Sequence, residues 1–289
     1  MRMYFIILHY LNIDDTINCV NSILSLSGEK KIIIVDNGSK NGTGEKLEDL
    51  FSQKNNISVI ISRNNLGFAK GNNLGIGTIK DKSDCLVSIC NSDLIFNDKE
   101  FITKAIKCYT NTQFAVLGPL ITSDDGIKKE APSKLEFIND LQLNVEIRKF
   151  IILNFINKLH LIPLSRAIHK IYSKQRIYYP YNKDIDSFKK PIKVHGSCFI
   201  LSPIFFNRLN GLFPGSFLFE EENILANLCL NNGLKIVYSP SLKVIHLGSK
   251  SYKVKYKNKN KRFKNYIENS LGSLLSYKKY RESKKNENI

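Results

Sequence analysis

The sequence predicts an α/β protein with a mostly parallel sheet flanked by helices, and three observations lead there. Short runs that are apolar throughout, such as "MYFIILHY", "KIIIVD", "ISVIIS" and "CLVSIC", recur along the first 120 residues. Helical patterns separate them, the order expected of a sheet covered on both faces. Polar residues close the runs on one side: His9, Asp36 and Asn91 stand at the carboxyl ends of expected strands, where open α/β sheets hold ligands.

The first run is a strand, and Asp14 or Asp15 is the expected N-cap of the helix after it. Ile17, Val20, Ile23 and Leu24 form one face of that helix, and Gly28 is its stop. "KIIIVDNGS" is a strand that ends in a polar turn. A short helix around Leu47 to Phe51, the strand "ISVIIS", a helix following Gly71 and the strand "CLVSIC" up to Asn91 continue the alternation.

Residues 127–193 break the pattern: "FIILNFINKLHLIPL" mixes apolar side chains with Asn, Lys and His, and a basic, tyrosine-rich stretch follows. This segment is expected to be a helical insertion. Strand character returns at "KVHGSCFILS", and "LKIVYSP" and "LKVIHLGS" are each expected to form one short strand. From Ser249, Lys alternates with Tyr or Val ahead of an amphipathic helix, "NYIENSLGSLLSYKKY". The expected organisation is a domain over 1–248, with 127–193 as a variable insertion, and a basic helical tail over 249–289.

A chain of 289 residues has ample apolar content for a full core. Its net charge of +17 is concentrated at one end: from Gly248 onward there are thirteen Lys or Arg against three Glu. Such a balance suits either nucleic acid or an anionic surface together with an anionic substrate. Cys19, Cys85, Cys90, Cys108, Cys198 and Cys229 contain no close C-x-x-C pair. They read as reduced, buried thiols of a cytoplasmic protein. The first residues enter a strand pattern with no cleavable signal, and no apolar run reaches the roughly 18 residues needed to span a bilayer.

Four polar clusters carry candidate chemistry. In "VDNGSKNGTGE", Asp36 can accept hydrogen bonds from a base or ribose, while Asn37 to Asn41 can equally form a helix-capping turn. In "RNNLGFAKGNNLGI", Gly67, Gly71 and Gly75 recur every four residues, permitting close backbone approach to a ligand at a helix N-terminus. In "CNSD", Asn91 and Asp93 flank Ser92 and point the same way if extended. That pair suits a hard divalent cation between protein and diphosphate, although a lone N-x-D is common in turns.

The fourth cluster is Glu220, Glu221 and Glu222 at the start of an expected helix. The macrodipole favours a carboxylate there by about 0.3–1 kcal/mol. Three adjacent ones repel and raise one another's pKa, which is what a general base requires. His246 ends an expected strand; a lone strand-end histidine is more often structural than a ligand. His160, His169 and His195 take the same discount.

With these clusters in this order, the chain resembles the bacterial glycosyltransferase family 2, in particular its rhamnosyltransferase-like members that build O-antigen and capsule chains. The resemblance rests on "IIIVDNGSKNGT", "NNLGFAKGNNLGI", "CNSD", "HGSCFILS", "GLFPGSFLFEEENIL" and "VIHLGSKS", covering about 3–120 and 193–251. It implies a GT-A Rossmann-like fold, a nucleotide-diphospho-sugar donor linked to UDP or dTDP, and an inverting transfer.

The resemblance also assigns residues. His9, Asp36, Asn37, Asn65, Gly67, Gly71, Asn72, Asn91, Ser92 and Asp93 are the expected donor-binding set. Asp93, His246 and Asn91 are expected at the metal, Mn2+ or Mg2+. Glu222 is the expected catalytic base, with Glu221 in reserve. Three positions depart from the family: Asn91 replaces a more acidic first member of the metal motif, and Ile224 and Asn227 stand where Asp and Arg usually follow the glutamates. The implied acceptor is a glycan or a polyprenyl-diphosphate-linked chain, with an anionic membrane surface as partner of the tail and no nucleic acid. The implied location is the cytoplasm, at the inner face of the bacterial plasma membrane. Two rival readings are a nucleic-acid-binding module that uses the basic tail and an inactive scaffold of a polysaccharide-assembly complex. The first leaves Asp36, Asp93 and the glutamates without a role, since carboxylates repel phosphates.

Overall fold

The computed structural model describes residues 1–130, 132–174, 176–248 and 258–287. Its chain alternates as expected at the start: β1 (Arg2–His9), α1 (Ile13–Leu24), β2 (Lys30–Asp36), α2 (Thr43–Phe51), β3 (Ile57–Ile61), α3 (Gly67–Gly77) and β4 (Cys85–Asn91). The N-cap of α1 is Asn12, whose side chain accepts from the Asp15 backbone N–H. Asp14 and Asp15 lie in the first turn instead, where the helix dipole favours them. Helix α3 begins at Gly67, four residues before the glycine expected to open it.

The chain continues through β5 (Leu94–Ile95), α4 (Phe101–Thr112), β6 (Val116–Ser123), β7 (Lys129–Glu130), β8 (Ser133–Lys134), α5 (Asp140–Lys158) and α6 (Ile162–Ser173). Then come β9 (Ile185–Asp186), β10 (Ile192–Lys193), β11 (Cys198–Leu201), α7 (Pro203–Phe206), α8 (Glu221–Asn231), β12 (Ile236–His246) and a C-terminal helix, Lys259–Asn286. Segment 127–193 is thus not helical throughout: β7 pairs with β6 and β9 with β12 of the main sheet, and β8 pairs with β10.

The main sheet runs β3-β2-β1-β4-β11-β6-β12-β5. Pairs β1/β2, β1/β4, β2/β3 and β6/β12 are parallel, while β11 lies antiparallel between β4 and β6. The strand order reverses between β1 and β4, and the crevice beyond their carboxyl ends is the place such sheets offer a ligand. The two strands expected at "LKIVYSP" and "LKVIHLGS" are one, β12, whose register against β6 shifts between Ser239 and Lys243. Pro240 falls in that irregularity, where a missing N–H costs the ladder little.

Both faces of the sheet are buried. Phe5, Phe96 and Phe101 pack edge-on under α1 and α4, while Ile6, Val35, Ile89 and Phe199 lie on the other face with α3 and α8. All six cysteines are free and all but half-buried Cys108 are buried, as their apolar settings imply.

A third apolar cluster joins α5 and α8 to the C-terminal helix through Phe137, Leu143, Phe150, Ile224, Ile267, Leu274 and Tyr277. The amphipathic face expected in the tail is therefore spent on the domain. Ile224 and Asn227 serve this junction: Ile224 is buried in it, and Asn227 Oδ1 accepts from Tyr277 Oη and from the Arg281 guanidinium. The alternating basic stretch over 249–257 lies outside the described residues. No described helix is long and apolar enough to cross a membrane.

Candidate active site

Long-range pairings gather the polar clusters at one cleft of about 600 Å3. Pairing of β11 with β4 sets Cys198 opposite Cys90, and Asn91 N–H then donates to Ser197 O at 2.9 Å. "HGS" is thereby laid beside "NSD". Strand β5 pairs antiparallel with the end of β12, His246 opposite Leu94, and Leu247 N–H donates to Asp93 O at 2.9 Å. These bonds bring His246 Nε2 to 3.2 Å from Asp93 Oδ2.

Across the cleft, α8 starts with Glu221 and Glu222 in its first turn and Glu220 as N-cap. Phe219 and Glu220 both have positive φ, +68° and +67°. Such geometry costs about 1–3 kcal/mol per non-glycine residue and persists only where its surroundings enforce it. The enforcing contacts come from α3. Asn73 exchanges two hydrogen bonds with the Leu212 backbone, and Phe68 N–H donates to Phe217 O at 2.7 Å.

Gly67 makes that approach feasible: its φ is +80°, and a Cβ there would stand 2.1 Å from Phe217 O. The glycine repeat is thus chiefly a packing device. A Cβ at Gly71 would meet Leu8 at 2.6 Å, and one at Gly75 would meet Ile6 at 2.8 Å, so both seat α3 on the sheet. Of the three, only Gly67 lines the cleft.

The glutamates differ in environment. Glu222 Oε1 accepts from Gly196 N–H at 3.1 Å, and a Cβ on Gly196 would lie 2.5 Å from that oxygen. Glycine in "HGSC" therefore makes room for the carboxylate. Burial pushes the Glu221 carboxyl well above its usual range, with Glu222 and Glu220 adding to it, and its Oε1 is buried without a partner. Glu220 accepts from Asn223 Nδ2 at 2.8 Å; burial first, then Glu136, raises it to about 7.

His195 Nδ1 accepts from Ser197 N–H at 3.1 Å, and burial pushes its pKa down against the opposing pull of Glu222. With Nδ1 accepting, a neutral ring would carry its proton on Nε2. Behind the far wall, Glu136 bonds both Arg176 Nε and Lys193 Nζ at 2.9 Å. Burial would raise Glu136, but the two cations hold it below its ordinary value. Arg176, Tyr178, Lys193 and Tyr266 complete the wall.

Of the residues expected at the donor, Asn37, Asn65, Gly67, Asn91, Ser92 and Asp93 line this cleft, as do Glu221, Glu222 and His246. His9, Asp36, Gly71 and Asn72 lie behind it. His9 is fully buried, with ring nitrogens 2.7 Å from Thr16 Oγ1 and 2.9 Å from Thr43 Oγ1, and burial lowers its pKa to about 4. It stays neutral and ties three elements together. Asn72 is buried against the Phe68 carbonyl. Asn37 braces the glycine loop, accepting from Leu66 N–H and donating to Gly67 O. Asp36 keeps one buried oxygen, Oδ2, unpartnered beside Gly44, and burial raises its pKa.

The donor set suits a hard divalent cation. His246 Nε2 is buried without a hydrogen-bond partner although it lies 3.2 Å from Asp93 Oδ2. The two atoms sit side by side without bonding, as two ligands of one ion would. Among the described residues no group of three or more His, Cys, Asp or Glu could hold a metal ion. Asp93 and His246 would need oxygen ligands from Asn91, water or a diphosphate to complete the shell.

Fold and topology together define an α/β protein of the GT-A class, in which Glu222, Asp93 and His246 line one cleft. The family model described as "Glycosyl transferase family 2" matches residues 4–205, and the chain belongs to that family. Among solved structures, S. aureus TarS 1-349 aligns over 96% of this chain and 71% of its own, at 13% identity and TM-score 0.53.

The mannosyltransferase PcManGT from Pyrobaculum calidifontis, in complex with GDP-Man and Mn2+, aligns over 96% and 72% at 10% identity and TM-score 0.54. GalNAc-T7 with UDP, GalNAc and Mn2+ aligns over 85% and 44% at 13% identity and TM-score 0.58. Against TarS with UDP or UDP-GlcNAc, the chain spans only 40% or 39% of that protein's length. The likenesses to TarS 1-349, PcManGT and GalNAc-T7 at TM-scores of 0.53, 0.54 and 0.58 show the fold. No curated protein matches the chain in sequence.

Sequence reasoning assigned no role to Gly196, Glu136, Arg176, Lys193 or Tyr266. "HGSC" was visible, but that its glycine makes room for Glu222 emerges only when β11 pairs with β4.

Proposed function

We propose that the protein is an inverting glycosyltransferase that moves a sugar from a UDP- or dTDP-linked donor to a hydroxyl of a growing surface polysaccharide, O-antigen or capsule in type, carried on a lipid. The observation that carries the reading is Glu222, held by Gly196 N–H in the same cleft as Asp93 and His246. Family membership, the UDP in the GalNAc-T7 structure and the GDP-Man in the PcManGT structure support a nucleotide-sugar donor.

The acceptor oxygen forms a bond to the anomeric carbon as the bond from that carbon to the diphosphate oxygen breaks. The hydroxyl proton passes to Glu222, whose Oε1 is fixed and whose other oxygen is left to receive it. One such displacement inverts the anomeric centre. A divalent cation, Mn2+ or Mg2+, held by Asp93 and His246 would neutralise charge on the departing nucleoside diphosphate. Neutral His195 can donate from Nε2 without competing for the acceptor proton. Asn65 and Asn37 shape the glycine edge of the cleft, and Arg176, Tyr178 and Tyr266 form the wall left for the acceptor. Glu221, which lines the same cleft, is the reserve base.

The test is nucleoside diphosphate release from a panel of UDP-, dTDP- and GDP-sugars, with lipid-linked glycan acceptors. Glu222→Gln should lower acceptor-dependent release by about 10²–10⁴-fold while donor binding persists. Undiminished turnover in that variant would remove the proposed base, and no release from any donor would turn the reading toward an inactive scaffold.

A further inference from the structure

Helix α5 has two apolar faces, and the fold uses one. Leu143, Ile147, Phe150 and Leu153 pack toward the C-terminal helix and α8. On the opposite side Leu141, Val145, Ile152, Phe155 and Leu159 recur at steps of three and four residues, with Arg148 filling the one open step. All five are between 44% and 74% exposed. At the tip of the α5–α6 hairpin Leu161 and Leu164 are each 49% exposed. A helix on a protein surface has no folding reason for a second apolar stripe, and contiguous exposed apolar residues mark an interaction surface.

Charge identifies the partner. Residues 147–183 contain eight Lys or Arg and no Asp or Glu. Lys149 is paired with Glu146 and Arg176 with Glu136. The other six, among them Arg148, Lys158, Arg166 and Lys170, have no carboxylate partner among the described residues. An apolar helix face set among cations, with little to attract a cationic surface, matches an anionic lipid surface. A second copy of the chain is disfavoured, because it would bring two such cationic faces together with Arg148 in the seam.

We propose that the α5–α6 hairpin is a membrane-docking surface. The outer stripe of α5 and the leucines at the tip enter the headgroup boundary of an anionic leaflet, and the surrounding lysines and arginines meet its phosphates. The C-terminal helix, its own apolar face spent on the core, braces α5 from behind. This inference stands apart from the proposed activity. If both hold, docking sets the cleft wall that follows α6, Arg176 and Tyr178, near the surface that carries a lipid-linked acceptor.

The test is co-sedimentation of the full chain with vesicles of phosphatidylcholine alone or mixed with phosphatidylglycerol, at low and high salt. The chain should bind the anionic vesicles and lose binding with salt. Ile152→Ser/Phe155→Ser and Arg166→Glu/Lys170→Glu should each weaken it by about tenfold or more, with melting temperature and nucleotide binding unchanged. No vesicle binding by the unaltered chain overturns the proposal. So does full binding by Ile152→Ser/Phe155→Ser, which would move the contact to the basic segment after Gly248. A lipid-free dimer seen by light scattering and dissolved by the same two changes would assign the stripe to a second copy instead.

Discussion

Gly196→Ala tests how the cleft holds its base. The added Cβ would sit 2.5 Å from Glu222 Oε1, 2.9 Å from Cδ and 3.1 Å from Cγ. Ordinary contact begins near 3.4 Å, so the carboxylate must retreat by roughly 0.9 Å. The atoms in the way end a flexible side chain, and Gly196 does not have positive φ among the described residues, so the backbone accepts alanine without strain.

What is lost is the 3.1 Å bond from Gly196 N–H and the position it fixes. A displacement of about 1 Å costs about a hundredfold in kcat, or roughly 2.7 kcal/mol of transition-state stabilisation. Glu222→Gln, which removes the proton acceptor altogether, should cost about 10²–10⁴-fold. Losing one hydrogen bond should lower stability by no more than about 1–3 kcal/mol. The assay is steady-state nucleoside diphosphate release, with urea unfolding of the same preparation. The reasoning is refuted if Gly196→Ala turns over within threefold of the unaltered chain, or if it unfolds while Glu222→Gln does not.

Three further expectations concern stability. Gly67→Ala combines a φ of +80° with a Cβ 2.1 Å from a backbone oxygen that cannot step aside; it should cost about 2–4 kcal/mol in urea unfolding. Asn227→Ala strips the acceptor shared by Tyr277 and Arg281 and should destabilise by about 1–3 kcal/mol, with proteolysis starting in the C-terminal helix. Glu220, raised by burial from 4.5 to about 7, holds a proton in the fold that the unfolded chain has released. Its contribution is full below pH 4.5 and is lost as pH rises to about 7. Glu220→Gln should therefore flatten the fall in stability over that window, measured by urea unfolding at a series of pH values.

How much of this was legible in the sequence depends on the range of the interaction. The alternation through Asn91 could be read because each buried strand is a local apolar run, and the glutamates could be placed in the first turn of α8 because helix starts are local too. The joining of "LKIVYSP" to "LKVIHLGS" could not, because a strand crosses Pro240 only where its neighbour tolerates a register shift.

At the site, Asp93 and His246 come together in the sequence only through the family resemblance and not from the residues themselves, since β5 has only two residues and its pairing with β12 is what sets them side by side. His9 looked available at a strand end, yet Thr16 and Thr43, on two other elements, close over it. The glycine repeat looked like a ligand loop because close approach of backbone to ligand and of backbone to sheet leave the same pattern. Arg176, Lys193 and Glu136 had no motif at all; they meet only in three dimensions.

The central claim, a nucleoside diphosphate held through a cation at Asp93 and His246, is tested most directly by calorimetric titration of UDP, dTDP and GDP with and without Mn2+. The chain, Asp93→Ala and His246→Ala should be compared side by side. The account predicts that one nucleotide binds the unaltered chain in a Mn2+-dependent manner and that both variants, melting as before, lose that dependence. Nucleotide binding that ignores Mn2+, or that survives both changes, would contradict it.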